Sequence, residues 1–188
     1  IIKMKSIIDG SIINFYDAPR FKVKHTYMTA NEKLATDGCY IEVATRENHL
    51  HVGCGCRIEA YADGKPVLGN RMTSRLGEQC VEFGDIHVEE GKEVEIVKYV
   101  SMYTERECPA YALHTTVEKE IEQFIETGFE EELKLHEAVY AQMWENADLK
   151  ITGDAELNQA IRFNIFHLMS TGNEHDEHVN VGAKLLTG

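Results

Sequence analysis

The sequence predicts a mixed β and α chain, an antiparallel β-sandwich followed by helices. Three observations carry that expectation. Short runs rich in β-branched and aromatic residues recur up to about residue 107, separated by turn dipeptides roughly every 8–12 residues. No helical period interrupts them. After Cys108-Pro109 the apolar spacing changes to that of helices.

In chain order, Phe21, Val23, His25 and Tyr27 alternate with polar positions, as a half-buried strand requires. Tyr40–Thr45, Asn48–Val52 and Arg57–Tyr61 read as further short strands. Asp9-Gly10 and Asp63-Gly64 are hairpin-type dipeptides, because both residues reach positive φ cheaply. Glu90-Gly91-Lys92 is a turn signal, followed by Val94, Ile96 and Tyr99-Val100.

Beyond Pro109, Thr115-Thr116-Val117-Glu118 has the pattern of a capping box. Val117, Ile121, Phe124 and Ile125 then form one helical stripe, and Gly128 suits the position after a helix end. A second helix is expected from Phe129 to Asn146, with Phe129, Leu133, His136, Tyr140, Met143 and Trp144 on one side. Glu130, Glu131 and Glu132 fall in its first turn, where negative charge suits the helix dipole. Asp154 is a good N-cap for a third helix. Its stripe is Leu157, Ile161, Ile165, Leu168 and Met169, while Ala160, Phe163 and Phe166 cover other sides. A helix apolar nearly all round belongs among other helices, and too few are present to bury it. With a start at Ile1-Ile2 and an apolar Leu185-Leu186, we expect a piece of a longer protein. Expected boundaries lie near residues 108 and 146.

A formal charge of −13 opposes a nucleic-acid partner and an anionic membrane surface, both of which need basic patches. No run approaches the roughly 18 apolar residues of a membrane span. Five cysteines in 188 residues are too sparse for a disulfide scaffold. Reduced thiols and a cytoplasmic protein are the expectation.

Candidate chemistry is thin. Cys54-Gly55-Cys56 is a C-x-C with no second pair at zinc spacing, and reads as a strand with two small half-buried thiols. His175-Asp176-Glu177-His178, with Glu174 and nearby His167, is ligand-rich. Imidazole and carboxylate there could hold a divalent ion. A solvated polar turn is the weightier reading, so no metal is expected. Glu89-Glu90 and Glu130–Glu132 are acidic pairs of the kind glycoside chemistry uses, placed where solvated faces are usual. There is no G-x-S-x-G, H-E-x-x-H or P-loop, and Gly64–Gly69 is no phosphate cradle. Arg162 and Asn164 interrupt the third helix and must find partners if buried. Lys184, between small neighbours in Gly182-Ala183-Lys184, could meet an anionic or sugar ligand. Pairing of Arg162 and Lys184 with acids is the competing reading and carries more weight.

Ile161-Arg162-Phe163-Asn164-Ile165-Phe166-His167-Leu168, then Gly182-Ala183-Lys184-x-Leu186-Thr187-Gly188, resembles glycoside hydrolase family 65. That family includes the maltose, trehalose, kojibiose and nigerose phosphorylases. Ile8-Asp9-Gly10-x-x-x-Asn14, Lys98-Tyr99-Val100-Ser101 and the stretch from Trp144-Glu145 to Gly153-Asp154 agree in the family's order.

The resemblance implies a large N-terminal sandwich, linker helices, an (α/α)6 catalytic barrel and a small C-terminal β-domain. On that map residues 1–107 are the later part of the sandwich, 108–146 the helical linker and 147–188 the start of the barrel. It implies inverting phosphorolysis of an α-linked, maltose-like glucose disaccharide to β-glucose 1-phosphate and glucose. Inorganic phosphate is the co-substrate, and no cofactor is implied. One Glu acts as general acid and is expected beyond Gly188, so no catalytic residue is expected in this chain. Lys184, Thr187 and Gly188 would stand at the rim of the sugar pocket. A homo-oligomer, a dimer, is also implied. Leu185 stands where family members often have Gly, and the His175–His178 patch matches no family position. A related hydrolase acting on trehalose, and a non-catalytic carbohydrate-binding or assembly sandwich, are the alternatives.

Overall fold

The computed structural model describes residues 1–12, 24–35 and 37–171. Two compact units divide the chain, Ile1–Phe129 and Glu130–Gly188.

The first unit is built on two antiparallel sheets. Strands β1 (Ile2–Asp9), β7 (Gln79–Ile86) and β6 (Leu68–Leu76) form one, in the order β1-β7-β6. The other has the order β2 (Thr26–Lys33), β3 (Cys39–Thr45), β4 (His51–Ala62), β5 (Lys65–Pro66), with β8 (Glu95–Thr104) also paired to β4. The expected sandwich followed by helices is therefore the observed class.

Alternation along β4 explains how one strand serves two interfaces. Cys54 and Cys56 point between the sheets, where Cys39, Ile41, Cys56 and Cys80 form a buried cluster with Ile8 and Met28 against it. Gly53 and Gly55 point the other way, toward helix α1 (Leu113–Thr127). A Cβ on Gly55 would come 2.5 Å from Val117 Cγ1, and one on Gly53 would come 2.6 Å from the Tyr40 hydroxyl. The missing side chains let α1 lie directly on the sheet. There Val117 and Ile121, both 0% exposed, join Leu34, Tyr40, Val97 and Tyr99 in a second core. Each such burial contributes about 1.5–3 kcal/mol.

Local expectations fare unevenly. Asp63 (φ 50°) and Gly64 (φ 71°) form the β4–β5 hairpin as expected, since Ala62 pairs with Lys65. Asp9-Gly10 is no hairpin. Asp9 Oδ1 instead accepts from Ser11 N at 2.8 Å, and Gly10 N donates to Glu78 O. A Cβ on Gly10 would displace the flexible end of Met28, at 2.7 Å from its Cε, and press on Val43 Cγ1 at 3.2 Å. The run from Asn48 starts as a turn, with His49 at φ 54°, and β4 begins only at His51. Of the alternating run from Phe21, Phe21 and Val23 lie outside the described residues, and β2 opens at Thr26.

The expected capping box does not form. A 3-10 turn over Ala110–Ala112 follows Pro109 and leads into α1 two residues before Thr115. Leu113 N donates to Ala110 O, and Thr115 Oγ1 donates back to Ala112 O at 3.0 Å. The preceding turn, not a hydroxyl, organises the helix start. Gly128 (φ 82°) ends α1 as expected, donating to Phe124 O at 2.9 Å.

In the second unit, α2 (Phe129–Ala147) and α3 (Ala155–Thr171) contain no buried residue. Asp154 caps α3 as expected, its Oδ1 accepting from Leu157 N at 2.9 Å. Arg162 lies 4.9 Å from the centre of the Trp144 ring and pairs with Asp148 at 3.0 Å. Tyr140 and Phe166 add an aromatic contact at 6.0 Å.

Candidate functional site

The ligand-type residues singled out in the sequence divide by where they fall. Lys184, Thr187, Gly188 and the His175–His178 patch with Glu174 lie outside the described residues. Arg162 takes the acid-pairing role, through Asp148. Asn164 is exposed and donates to Ala160 O one turn back, so it is not a buried polar group. Glu89 pairs with Lys92 and Glu131 with Lys134 on solvated surfaces. Among the described residues no group of His, Cys, Asp and Glu is arranged to hold a metal ion.

Three side-chain clusters in the first unit bring together residues that the sequence reading did not connect, because each is assembled by strand pairing or sheet packing. The first is a buried ionic network. Strand β4 pairs with β3 up to Cys56 and with β5 from Tyr61, leaving the edge between them unpaired by a strand. Arg71 and Glu82 fill that gap. Glu82 accepts from Ile58 N at 3.0 Å, and Arg71 Nη2 donates to Ile58 O at 2.7 Å. The two also bond each other at 2.9 Å, and Arg71 reaches Glu59 at 2.6 Å. Arg57 completes the set, its Nε donating to Glu59 at 2.7 Å. Burial pushes the Glu82 carboxyl above the usual carboxylate range, opposed by the Ile58 amide and by Arg71. The network ties the two sheets together.

The second cluster surrounds Glu42. Its Oε1 accepts from Thr29 at 2.9 Å and lies 2.6 Å from His51 Nδ1, and its Oε2 accepts from the Tyr40 hydroxyl at 2.8 Å. Burial alone would raise the Glu42 carboxyl, but the bonds from His51, Tyr40 and Thr29 outweigh it and hold it below the usual range. Both oxygens are engaged, which leaves this acid poorly placed to act as a base.

The third is the thiol cluster between the sheets. The Cys39 thiol is pushed far up by its bonds to Cys56 and Cys80 and by burial. Cys56 and Cys80 come down, chiefly as partners of Cys39. All three are fully buried, and all five cysteines are free thiols, as expected. The C-x-C is a strand pair, as its composition suggested, but only Cys54 is half-buried; Cys56 is fully buried.

One cavity stands out in this unit, an open groove of about 510 Å³ lined by Ile7, Ile41, Val52, Val100 and Met102 with Lys98 at its side. It is strongly apolar and holds no convergent set of acids or amides, unlike a sugar site with its few placed polar groups.

The family model for the N-terminal domain of glycosyl hydrolase family 65 matches residues 1–143. The chain belongs to glycosyl hydrolase family 65. The matched residues cover both sheets, α1 and most of α2. Among curated family 65 relatives, kojibiose phosphorylase of Thermoanaerobacter brockii is 36% identical across all of this chain and 25% of its own length. The α,α-trehalose phosphorylase of the same organism is 30% identical across all of this chain and 24% of its own. Maltose phosphorylase of Bacillus subtilis is 35% identical over 48% of this chain and 12% of its own length. The chain spans about a quarter of the length of the first two relatives. Among the described residues no helix is long and apolar enough to cross a membrane.

Proposed function

We propose that this chain is the scaffold portion of a longer disaccharide phosphorylase. The observation that carries the reading is the alignment of the entire chain with relatives named kojibiose and trehalose phosphorylase, at 36% and 30% identity. The parent enzyme cleaves an α-linked glucose disaccharide with inorganic phosphate, with inversion, giving β-glucose 1-phosphate and glucose. Phosphate takes the place of the activated water of an inverting hydrolase, so one general-acid Glu suffices.

In this reading residues 1–107 are sandwich, 108–146 linker and 147–188 the start of the (α/α)6 barrel. Lys184, Thr187 and Gly188 stand at the pocket rim, and the general acid lies beyond Gly188. The parent is cytoplasmic and dimeric, and needs no cofactor. Maltose was the substrate suggested by sequence resemblance. Kojibiose is the second candidate, favoured by the whole-chain match to kojibiose phosphorylase.

The test is to incubate the longer polypeptide with maltose, kojibiose, trehalose and nigerose in turn, with and without phosphate. Glucose 1-phosphate should form only with phosphate, from one of the four far more than the rest. Release of two free sugars at the same rate without phosphate would establish the trehalase-like hydrolase instead. The 188-residue chain alone should turn over none of them.

A further inference from the structure

The thiols between the two sheets have no part in phosphorolysis, yet they are brought together by three different strands. Cys39 opens β3, Cys56 lies in the middle of β4 and Cys80 is the second residue of β7. Cys39 and Cys56 are direct partners in the β3–β4 ladder, while β7 packs over β3 from the opposite sheet. The Cys39 thiol bonds both of the others. A disulfide needs two sulfurs carried on closely spaced backbones, and Cys39 has two candidate partners.

Their surroundings separate the two. Cys80 Sγ donates to Glu32 O at 3.3 Å, and the Tyr40 and Val81 amides donate to it, with Arg75 close by. Amide donors and a cation favour the thiolate, which is the form that attacks an oxidant. For Cys56 the corresponding partner is the Ser6 hydroxyl at 3.7 Å.

Their positions separate them as well. Cys56 is flanked on both sides by paired strands, β3 and β8. Cys80 stands beside the exposed β6–β7 turn at Gly77 and against β2, the outermost strand of its sheet. Cys39 directly follows the turn at Asp37-Gly38. Strand ends and sheet edges open before the middle of a sheet does. A water-sized oxidant therefore reaches Cys39 and Cys80, both fully buried at rest, ahead of Cys56.

We propose that Cys39 and Cys80 form an oxidisable pair, which hydrogen peroxide converts into a disulfide that staples β3 of one sheet to β7 of the other. The Cys80 thiolate attacks one peroxide oxygen; an S–O bond forms, the O–O bond breaks, and the departing hydroxide takes up the proton that Cys80 gave up. The Cys39 sulfur then attacks the Cys80 sulfur, and the displaced hydroxyl leaves with the Cys39 proton as water. The two thiols lose two electrons and two protons, and one peroxide becomes two waters. The reaction does not depend on which disaccharide the parent cleaves, or on whether it is a phosphorylase.

Peroxide treatment of the folded longer polypeptide tests this, with remaining thiols capped by a maleimide in denaturant and crosslinked peptides mapped by mass spectrometry. The expected result is loss of the Cys39 and Cys80 thiols together, as one linked peptide that dithiothreitol releases. The oxidised protein should unfold at higher urea, because the bond closes the loop between β3 and β7 in the unfolded chain. In Cys39→Ser, oxidation should stop at a Cys80 sulfenic acid that dimedone captures, and Cys56→Ser should crosslink at nearly the parent rate. The crosslink map needs no variant, so it decides even where a serine variant fails to fold. A Cys39–Cys56 link in place of Cys39–Cys80 overturns the proposal. So does survival of both thiols at a peroxide dose that consumes them in urea, or a urea midpoint that falls on crosslinking.

Discussion

Helices α1 and α3 carry comparable apolar stripes in sequence, yet they meet opposite fates. Leu113, Val117 and Ile121 of α1 are 0% exposed, whereas in the stripe of α3 Leu157 and Leu168 are 46% and 71% exposed and Ile161, Ile165 and Met169 only half-buried. The difference lies in the partner surface. Opposite α1 the sheet offers Gly53 and Gly55, a gap shaped for its side chains, and Ser101 and Tyr103 bond Glu120 at its flank. Opposite α3 stand mainly the aromatic contacts of α2 and one ion pair. A stripe states that a helix needs a partner; burial depends on whether another part of the fold makes room.

The largest effect should come from the ionic network that closes the first unit. Arg71→Met leaves the nearly fully buried Glu82 carboxylate without its cation and should cost about 3–5 kcal/mol in urea denaturation. Adding Glu82→Gln should recover part of that loss; no recovery would mean that the two residues act separately.

The helices themselves come next. Ile121→Ala in α1 should cost about 2–5 kcal/mol, and Leu168→Ala in α3 less than about 0.5 kcal/mol. Similar losses at both sites would erase the contrast. Gly55→Ala should cost about 1–3 kcal/mol by pressing a methyl group on Val117.

A smaller effect concerns acid. The folded Glu42 carboxyl sits below its ordinary value, so its contribution is whole above the unfolded pKa of about 4.3 and is lost as pH falls through the lower folded value. Glu42→Gln should therefore flatten the fall in urea midpoint below about pH 4. An unchanged acid limb would show that the bonds from His51, Tyr40 and Thr29 do not stabilise the ionised form.

The sandwich class, the helices and their order were legible because strand alternation, the Asp63-Gly64 turn, Gly128 and Asp154 are local signals. What stayed hidden depends on distant residues. Asp9-Gly10 looked like a hairpin, but β1 pairs with a strand some 70 residues on, as the bond from Gln79 to Asp9 illustrates. Strands β6 and β7 and their Gly77-Glu78 connection lack strong alternation, because Arg71 and Glu82 occupy positions that pattern reasoning assigns to apolar residues. The Thr115 box failed because an upstream 3-10 turn had already organised the helix start. The pocket-rim residues rested on family resemblance, with no local physical signal of their own beyond the small neighbours of Lys184.

The most direct test of the contrast between the two units is amide hydrogen exchange across the 188-residue chain, resolved by segment. The account predicts slow exchange in β3, β4 and α1, set by opening of the whole first unit, and markedly faster exchange in α3. Protection of α3 equal to that of α1 would contradict it.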